Sequence, residues 1–521
     1  MPEAGPGVVL VGMPGSGKSR VGRLVAAHLG RPFIDTDTLF EELHGTPVPT
    51  YLEARGEPAF RQAEAAVVAR ACATRGAIIS AGGGAILDPL NRWALWHHGV
   101  VAWLDLAPEL LVTRLEADAV ARPTFQPYDV GRLRAVLGER SPFYRAADLR
   151  LDASRDPARV AEELIARRTH PRGRRLFDAE VARHHPLGPP TTRIVMGSDL
   201  NLSELSPSGV AVVDRRLPAA LTDRVGARAR LELAGGERVK RLRWLERVLE
   251  WMAEQHVERD EPLLAVGGGT IGDLAGTAAA LFARGLPLIH VPTTWLAQAD
   301  SAFGGKVAVD LRRAKNAAGA FWPPVGVISD VAALRSLPLR LRRDGMAESV
   351  KAALIGDPAL WRLLEERGPA ALRTDEPARY AIIERSARLK LGVYERDPFE
   401  AGERRRLNLG HTIGHALEVE SGYRLRHGAA VALGMRAVAA IAVGRGADPA
   451  LAARLDDLLR RLGFRPRHAF DHGRARDAML GDKKRRGGRQ RWILPVRIGE
   501  VIDVDDVTET ELTRALDVIG G

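Results

Sequence analysis

Val8-Val9-Leu10-Val11-Gly12-Met13-Pro14-Gly15-Ser16-Gly17-Lys18-Ser19 decides the fold of the first third of the chain. Four consecutive β-prone apolar residues read as a strand buried on both faces. The glycine run that follows has the spacing G-x-x-x-x-G-K-S, and Val21, Leu24, Val25, His28 and Leu29 then recur on one face of a helix. A strand, a glycine loop and a helix in that order let backbone N–H groups of Gly12, Gly15, Ser16 and Gly17 curl around phosphate oxygens at a helix N-terminus. Lys18 would reach the outer phosphates and Ser19 would ligate Mg²⁺. The loop implies nucleotide phosphate, and by itself no reaction.

Outward from that loop, Ala77-Ile78-Ile79-Ser80 and Val100-Val101-Ala102-Trp103-Leu104 read as further buried strands, so residues 1–168 form a small α/β domain on a parallel sheet. From Arg168 to Thr192 proline, glycine and basic residues cluster without apolar period, which predicts a linker over 169–192. A second α/β pattern follows, with strands at Val210–Val213, Leu263–Val266 and Leu288–Val291. Amphipathic helices dominate after Leu334. The expected division is therefore an α/β subdomain over 193–334 and a helical one over 335–521.

The 521 residues are 45% hydrophobic and 27% charged, ordinary for globular domains. Cys72 is the single cysteine, so intrachain disulfides and cysteine metal sites are excluded. No signal-like N-terminal segment is visible, and the apolar run Ala429–Gly444 contains Arg436, so the reading is a cytoplasmic protein with no membrane partner. The net charge of +11 reads first as an arginine-rich surface with no specific partner, and otherwise suits small anionic substrates or nucleic acid. Aromatics are only 5%, with no basic stretch studded by them, which argues against nucleic acid.

Three further clusters carry chemistry in the first domain. Asp35 and Asp37 flank Thr36 and either cap a helix or orient a hydroxyl and Mg²⁺; Arg61, near Glu64, suits a surface ion pair or a carboxylate ligand; and Gly82-Gly83-Gly84 allows close approach of a small molecule or simply makes a turn. With Arg122-Pro123 and Arg140 before Ser141-Pro142-Phe143-Tyr144-Arg145, in this order, they resemble shikimate kinase over nearly all of residues 1–168. The resemblance implies ATP with Mg²⁺, shikimate held by Asp37, Arg61, Gly83 and Arg140, Asp35 helping with Mg²⁺ and the attacking hydroxyl, and Arg122 on a lid over the phosphates. Thr124-Phe125 depart from the small aliphatic residues expected in that lid.

In the second half Gly267-Gly268-Gly269-Thr270-Ile271-Gly272-Asp273 follows a strand and opens a helix, a place for a dinucleotide pyrophosphate or a tight turn. His411 and His415 lie at i, i+4, with His427 and Glu348 elsewhere; such a set suits zinc, although paired histidines also occur as plain structural residues. Thr412 after the first histidine excludes the H-E-x-x-H metalloprotease pattern.

Pro292-Thr293-Thr294, Asp300 to Lys306, Lys315-Asn316, Gly345-Met346-Ala347-Glu348 with Lys351, Asn408 to His411, and His427-Gly428 resemble 3-dehydroquinate synthase from about residue 191 to the end. That resemblance implies zinc (or Co²⁺) on Glu348, His411 and His427, with His415 in the substrate site. It implies NAD⁺ on Glu237, Lys240, Gly268, Gly269, Gly272, Asp273, Thr293, Thr294 and Lys315. It also implies a substrate cage of Arg284, Asp300, Lys306, Lys351, Lys390, Arg404, Asn408 and one lysine of the Lys483-Lys484 pair, whose run otherwise reads as a solvated loop or a nucleic-acid patch, and a homodimer through this half. Phe303 departs from the family wording and could reshape the pocket. The leading expectation is a bifunctional enzyme. The alternatives are a related sugar-phosphate cyclase in the second half, or one half serving only as a regulatory partner.

Overall fold

A computed structural model of the chain describes residues 5–117, 126, 128–169, 173–312, 314–480 and 490–520. Packing divides it into two compact units, residues 1–180 with 194–201 and residues 181–193 with 202–521.

The first unit is built on a five-stranded sheet in the order Phe33–Asp35, Ile78–Ser80, Gly7–Val11, Gly99–Asp105, Leu149–Asp152, parallel throughout. The central strand Gly7–Val11 is wholly buried, which is why it reads as an unbroken apolar run. Its C-terminal end delivers the glycine loop to the edge of the sheet where open α/β folds bind ligands. Helix Lys18–Leu29 starts from Gly17, whose φ of 91° lies in the left-handed region, and stops at Gly30. The helical stretch Val48–Ala73 bends at Gly56 (φ 76°), ahead of Pro58, and carries Arg61 and Glu64 on its second part.

In the second unit the strands Gly326–Asp330, Leu288–Pro292, Leu263–Gly267, Gly209–Asp214 and Ala227–Leu233 lie side by side in parallel. Helices Leu242–Glu254 and Gly269–Leu281 cover the sheet, burying Val210, Val212, Val248, Met252, Ile271 and Leu274. From Leu339 the structure is mainly helical.

Two features differ from the expected division. The segment 169–192 is not a bare linker, because Arg174–Ala182 is a strand with Leu176, Phe177 and Ala179 buried. The arginines and the flanking prolines and glycines mask that short apolar pattern in sequence. The last part also contains an antiparallel hairpin, Trp492–Arg497 with Glu500–Val504. Helix His427–Gly444 is long and apolar enough to cross a membrane, but 72% of it is buried within the fold, and Arg436 pairs with Asp456 at 2.8 Å. It is the core helix of its unit.

Candidate active sites

In the first unit the loop side chains close on themselves. Lys18 Nζ donates to the carbonyls of Gly12 and Met13, each at 3.0 Å. Ser19 Oγ donates to Asp35 Oδ2 at 2.5 Å, and the other Asp35 oxygen accepts the Asp37 N–H at 3.1 Å. Asp35 thus caps a helix and accepts from Ser19 at once. Ser16 Oγ is buried without a hydrogen-bond partner, and a Cβ on Gly12 would lie 2.9 Å from it. A side chain at Gly12 would close the cradle.

Asp37, Arg61 and Arg140 converge on Gly82-Gly83-Gly84. A Cβ on Gly82 would meet Asp37 Oδ1 at 2.6 Å, and one on Gly84 would meet Arg61 Nη1 at 2.6 Å. Arg140, buried, donates to the Gly83 carbonyl at 2.8 Å. Arg61 pairs with Glu64 at 2.8 Å and Glu57 at 3.1 Å. Burial pushes the Glu64 carboxyl up against the pull of Arg61. Arg122 lies outside the described residues. Sequence reasoning missed Thr36, whose Oγ1 accepts the Gly82 N–H at 2.7 Å, and Arg114, whose Nη1 would lie 3.8 Å from a Cβ on Gly17. Neither carried a motif signal.

In the second unit Gly267, Gly268, Gly269, Gly272 and Asp273 line a pocket together with His290, Ser301 and Lys306. Lys240 pairs with Asp273 at 2.5 Å and donates to Asn316, while Lys315 pairs with Glu237 at 3.2 Å. Thr293 donates its N–H to the Gly267 carbonyl at 3.0 Å, and Thr294 packs where a Cβ on Gly268 would sit, 2.8 Å from Cγ2. His290 is a pocket residue that sequence reasoning missed. It looks like any strand histidine, yet burial pushes its imidazole down to about 4, so it is neutral.

Beside this pocket lies a dense charged cluster. Glu348 pairs with Lys351; Lys351 stands 3.9 Å from Asp300; and Asp300 takes the ammonium of Lys390 on its carboxylate and, at 2.7 Å, on its backbone carbonyl. Burial alone would raise Asp300, but the two lysines hold it below the usual carboxylate range. Lys306 pairs with Glu400 at 2.6 Å, Asn408 donates to the same carboxylate at 3.2 Å, and Arg404 donates to the Gly304 carbonyl at 2.8 Å. Gly304 and Gly305 sit at φ 88° and 67°, and a Cβ on Gly305 would collide with the Pro323 backbone at 2.6 Å. Glu400 comes from a loop with no sequence signal. No hydrogen bond or ion pair among the described residues ties Arg284 to this cluster; it sits at φ 63° after Ala283 at 47°. Lys483 and Lys484 lie outside the described residues.

Glu348, His411 and His427 offer ligand atoms all within 4.8 Å of one another. His427 Nε2 is 3.0 Å and His411 Nε2 3.6 Å from Glu348 Oε1. Burial opposes charge on His427, yet its carboxylate neighbours Glu348 and Glu418 push it up to about 10 when protons are the only cations. His415, Glu418 and His427 form a second, overlapping donor set. His411 and His415, neighbours on one helix face, thus fall in different donor sets. The ring centroids are 5.2 Å apart, but His415 stands away from Glu348 with its side chain 40% exposed.

Comparison with known proteins matches the two parts of the chain to different families. Residues 14–169 match the shikimate kinase family model, residues 230–344 the 3-dehydroquinate synthase N-terminal model and residues 345–485 its C-terminal counterpart. The 3-dehydroquinate synthase of Xanthomonas campestris pv. campestris is 38% identical over 361 residues, spanning 67% of this chain and 90% of that protein. The 2-epi-valiolone synthase of Actinosynnema mirum is 39% identical over 309 residues, 58% of this chain and 81% of that one. Among solved structures, 2-epi-5-epi-valiolone synthase of Streptomyces hygroscopicus subsp. jinggangensis with NAD⁺ and Zn²⁺ bound aligns at a TM-score of 0.60 and 27% identity, covering 64% of this chain and 98% of that one.

Proposed function

Because the chain belongs to the 3-dehydroquinate synthase family and carries a shikimate kinase domain ahead of that part, we propose that one polypeptide catalyses both reactions. The first unit transfers a phosphoryl group from ATP to shikimate. The second cyclises 3-deoxy-arabino-heptulosonate 7-phosphate to 3-dehydroquinate with release of phosphate. The observation that carries the second half is the joining of Glu348, through Lys351, to Asp300 and Lys390, which sets a metal donor set against a cluster of buried cations.

In the kinase unit, Ser19 and Asp35 would hold Mg²⁺, and the loop N–H groups with Lys18 would hold ATP phosphates. The buried, unpartnered Ser16 hydroxyl and the cradle at Gly12 fit such a group. Arg61 and Arg140 suit the substrate carboxylate, and Asp37 its hydroxyls. Asp35 can also take the proton of the attacking hydroxyl.

In the synthase unit, two imidazoles and one carboxylate form a donor set of the composition that zinc prefers in catalytic sites. NAD⁺ and Zn²⁺ supply a hydride acceptor and a Lewis acid. Glu237, Lys240, Asp273 and Lys315 would bind the dinucleotide around the glycine turn. Lys306, Lys351, Lys390, Arg404 and Asn408 would orient the phosphate and carboxylate of the substrate and neutralise their charge. Asp300 already carries two ammonium groups and is a poor proton acceptor. The substrate's own phosphate can take the proton lost beside the carbonyl.

Phosphate release from the heptulosonate phosphate, measured on the intact chain with NAD⁺ and Zn²⁺ and repeated after chelation, tests the synthase reading. Release that requires both supports it. A zinc-loaded, NAD⁺-binding chain that releases none overturns it. The similar identity to the valiolone synthase favours one second reading, a cyclase for another sugar phosphate. Turnover of such a sugar in preference to the heptulosonate would establish it.

A further inference from the structure

His411 and His427 come from different helices, yet their rings are placed alike. Each turns Nε2 toward Glu348, at 3.6 and 3.0 Å, and Nδ1 toward an acceptor on the opposite side. For His411 that acceptor is the Leu409 carbonyl, at 3.1 Å from Nδ1. For His427 it is Glu418, whose Oε2 lies 3.6 Å from Nδ1. Glu418 is 7% exposed at the side chain and sits seven residues after His411, two helical turns along the same face. Its other oxygen is 3.5 Å from Lys315 Nζ, and Lys315 also pairs with Glu237 at the cofactor side.

We propose that Glu418 is a positioning residue: it holds the Nδ1–H of His427, which presents the Nε2 lone pair to the metal, and it anchors Lys315 between the metal and dinucleotide sites. A neutral imidazole carries one proton, and an acceptor at one nitrogen fixes that proton there and leaves the other nitrogen free to ligate. The geometry assigns the metal to the Glu348 set and not to the overlapping one. Both Nε2 atoms converge on Glu348, whereas the second set would need Nδ1 of His427 and a half-exposed His415 whose Nε2 is 4.0 Å from Glu418. The inference rests on the zinc reading of that site.

The test is zinc affinity of the full chain by chelator competition, without substrate. It compares the wild type with Glu418→Gln, His415→Ala and Glu348→Gln, with metal-free melting as the check on folding. Losing an outer-shell partner of this kind weakens metal binding roughly 10–100-fold, so Glu418→Gln is expected to fall in that range while His415→Ala stays close to wild type. With Co²⁺ in place of Zn²⁺, Glu418→Gln is expected to shift the visible absorption bands and His415→Ala to leave them. If Glu418→Gln binds zinc as the wild type does, the positioning role is wrong. A loss in His415→Ala equal to that in Glu348→Gln makes Glu418 a ligand in the other set, which also overturns it. A wild type that binds no zinc removes the metal reading itself. Should Glu418→Gln melt early, Glu418→Asp, which keeps the charge and shortens the reach, replaces it with the same expected loss.

Discussion

Ser19 and Asp35 are joined by a hydrogen bond of 2.5 Å across the loop and the neighbouring edge of the sheet. Sixteen residues separate them, and they meet because strands Gly7–Val11 and Phe33–Asp35 both flank Ile78–Ser80. Two groups in contact should not act independently. Asp35→Asn is expected to lower the rate of shikimate phosphorylation by roughly 10²–10⁴-fold, the usual worth of a positioned acid or base. Adding Ser19→Ala should cost less than the product of the single losses. A double-mutant cycle on kcat checks this, and strictly multiplicative losses would refute the pairing.

Glu348 and Lys351 form an ion pair with side chains only 1% and 4% exposed. Burial opposes both charges, and each holds the other ionised. Removing one partner of such a pair leaves a charge with little water, at a typical cost of about 3–5 kcal/mol. The nearby Asp300 carboxylate should soften that cost for Lys351. Glu348→Gln is therefore expected to destabilise the metal-free second unit by about 3 kcal/mol, besides abolishing phosphate release. Shikimate phosphorylation should persist, since the first unit has its own core. Urea unfolding and the two activity assays on one preparation check all three outcomes.

The glycine loop, the first parallel sheet and the order of chemical motifs were legible in the sequence because each has a local pattern. Gly12 to Ser19 is contiguous, and Val8–Val11 is a continuous apolar run. Strand Arg174–Ala182 was hidden because its arginines bond in the fold, Arg174 standing 3.9 Å from Asp148. Glu400 and Glu418 were missed for different reasons. Glu418 continues the His411–His415 face and could have been found by helical spacing. Glu400 reaches Lys306 across 94 residues from a loop, which no local pattern encodes. Histidine spacing alone pairs His411 with His415, whereas the second ring that meets Glu348 beside His411 belongs to another helix.

His290 supplies a pH prediction with a definite sign. Burial holds its folded-state value down to about 4, against 6.5 as the ordinary value. Above pH 6.5 the imidazole is neutral whether folded or not and contributes nothing to the pH slope. Between 6.5 and 4 the unfolded chain binds a proton that the folded one refuses, so stability falls as pH drops, by about 1.4 kcal/mol per pH unit from this residue. Below about 4 the loss levels off. His290→Gln keeps polarity without the titration and should flatten the stability of the second unit over that window. Denaturant midpoints at pH 7, 6 and 5 for both proteins check it; parallel curves would show that His290 is not the group.

Phe303 offers the last test, because sequence comparison set it beside the glycines of the pocket. In the fold its side chain is 2% exposed, among the largest fully buried ones, and the pocket at the glycine turn is lined instead by its neighbours Ser301, Ala302 and Lys306. Its bulk is therefore packed inside the fold and outside the lining of that pocket. Phe303→Val removes most of a ring from a packed site and leaves a void, which for phenylalanine truncations costs up to about 3–5 kcal/mol and for valine somewhat less, about 2 kcal/mol. Melting temperature should fall, while KM for the sugar phosphate and the choice among related sugars stay close to wild type. If the variant keeps its stability and changes which sugar it accepts, Phe303 belongs to the substrate site and its burial has been misread as packing.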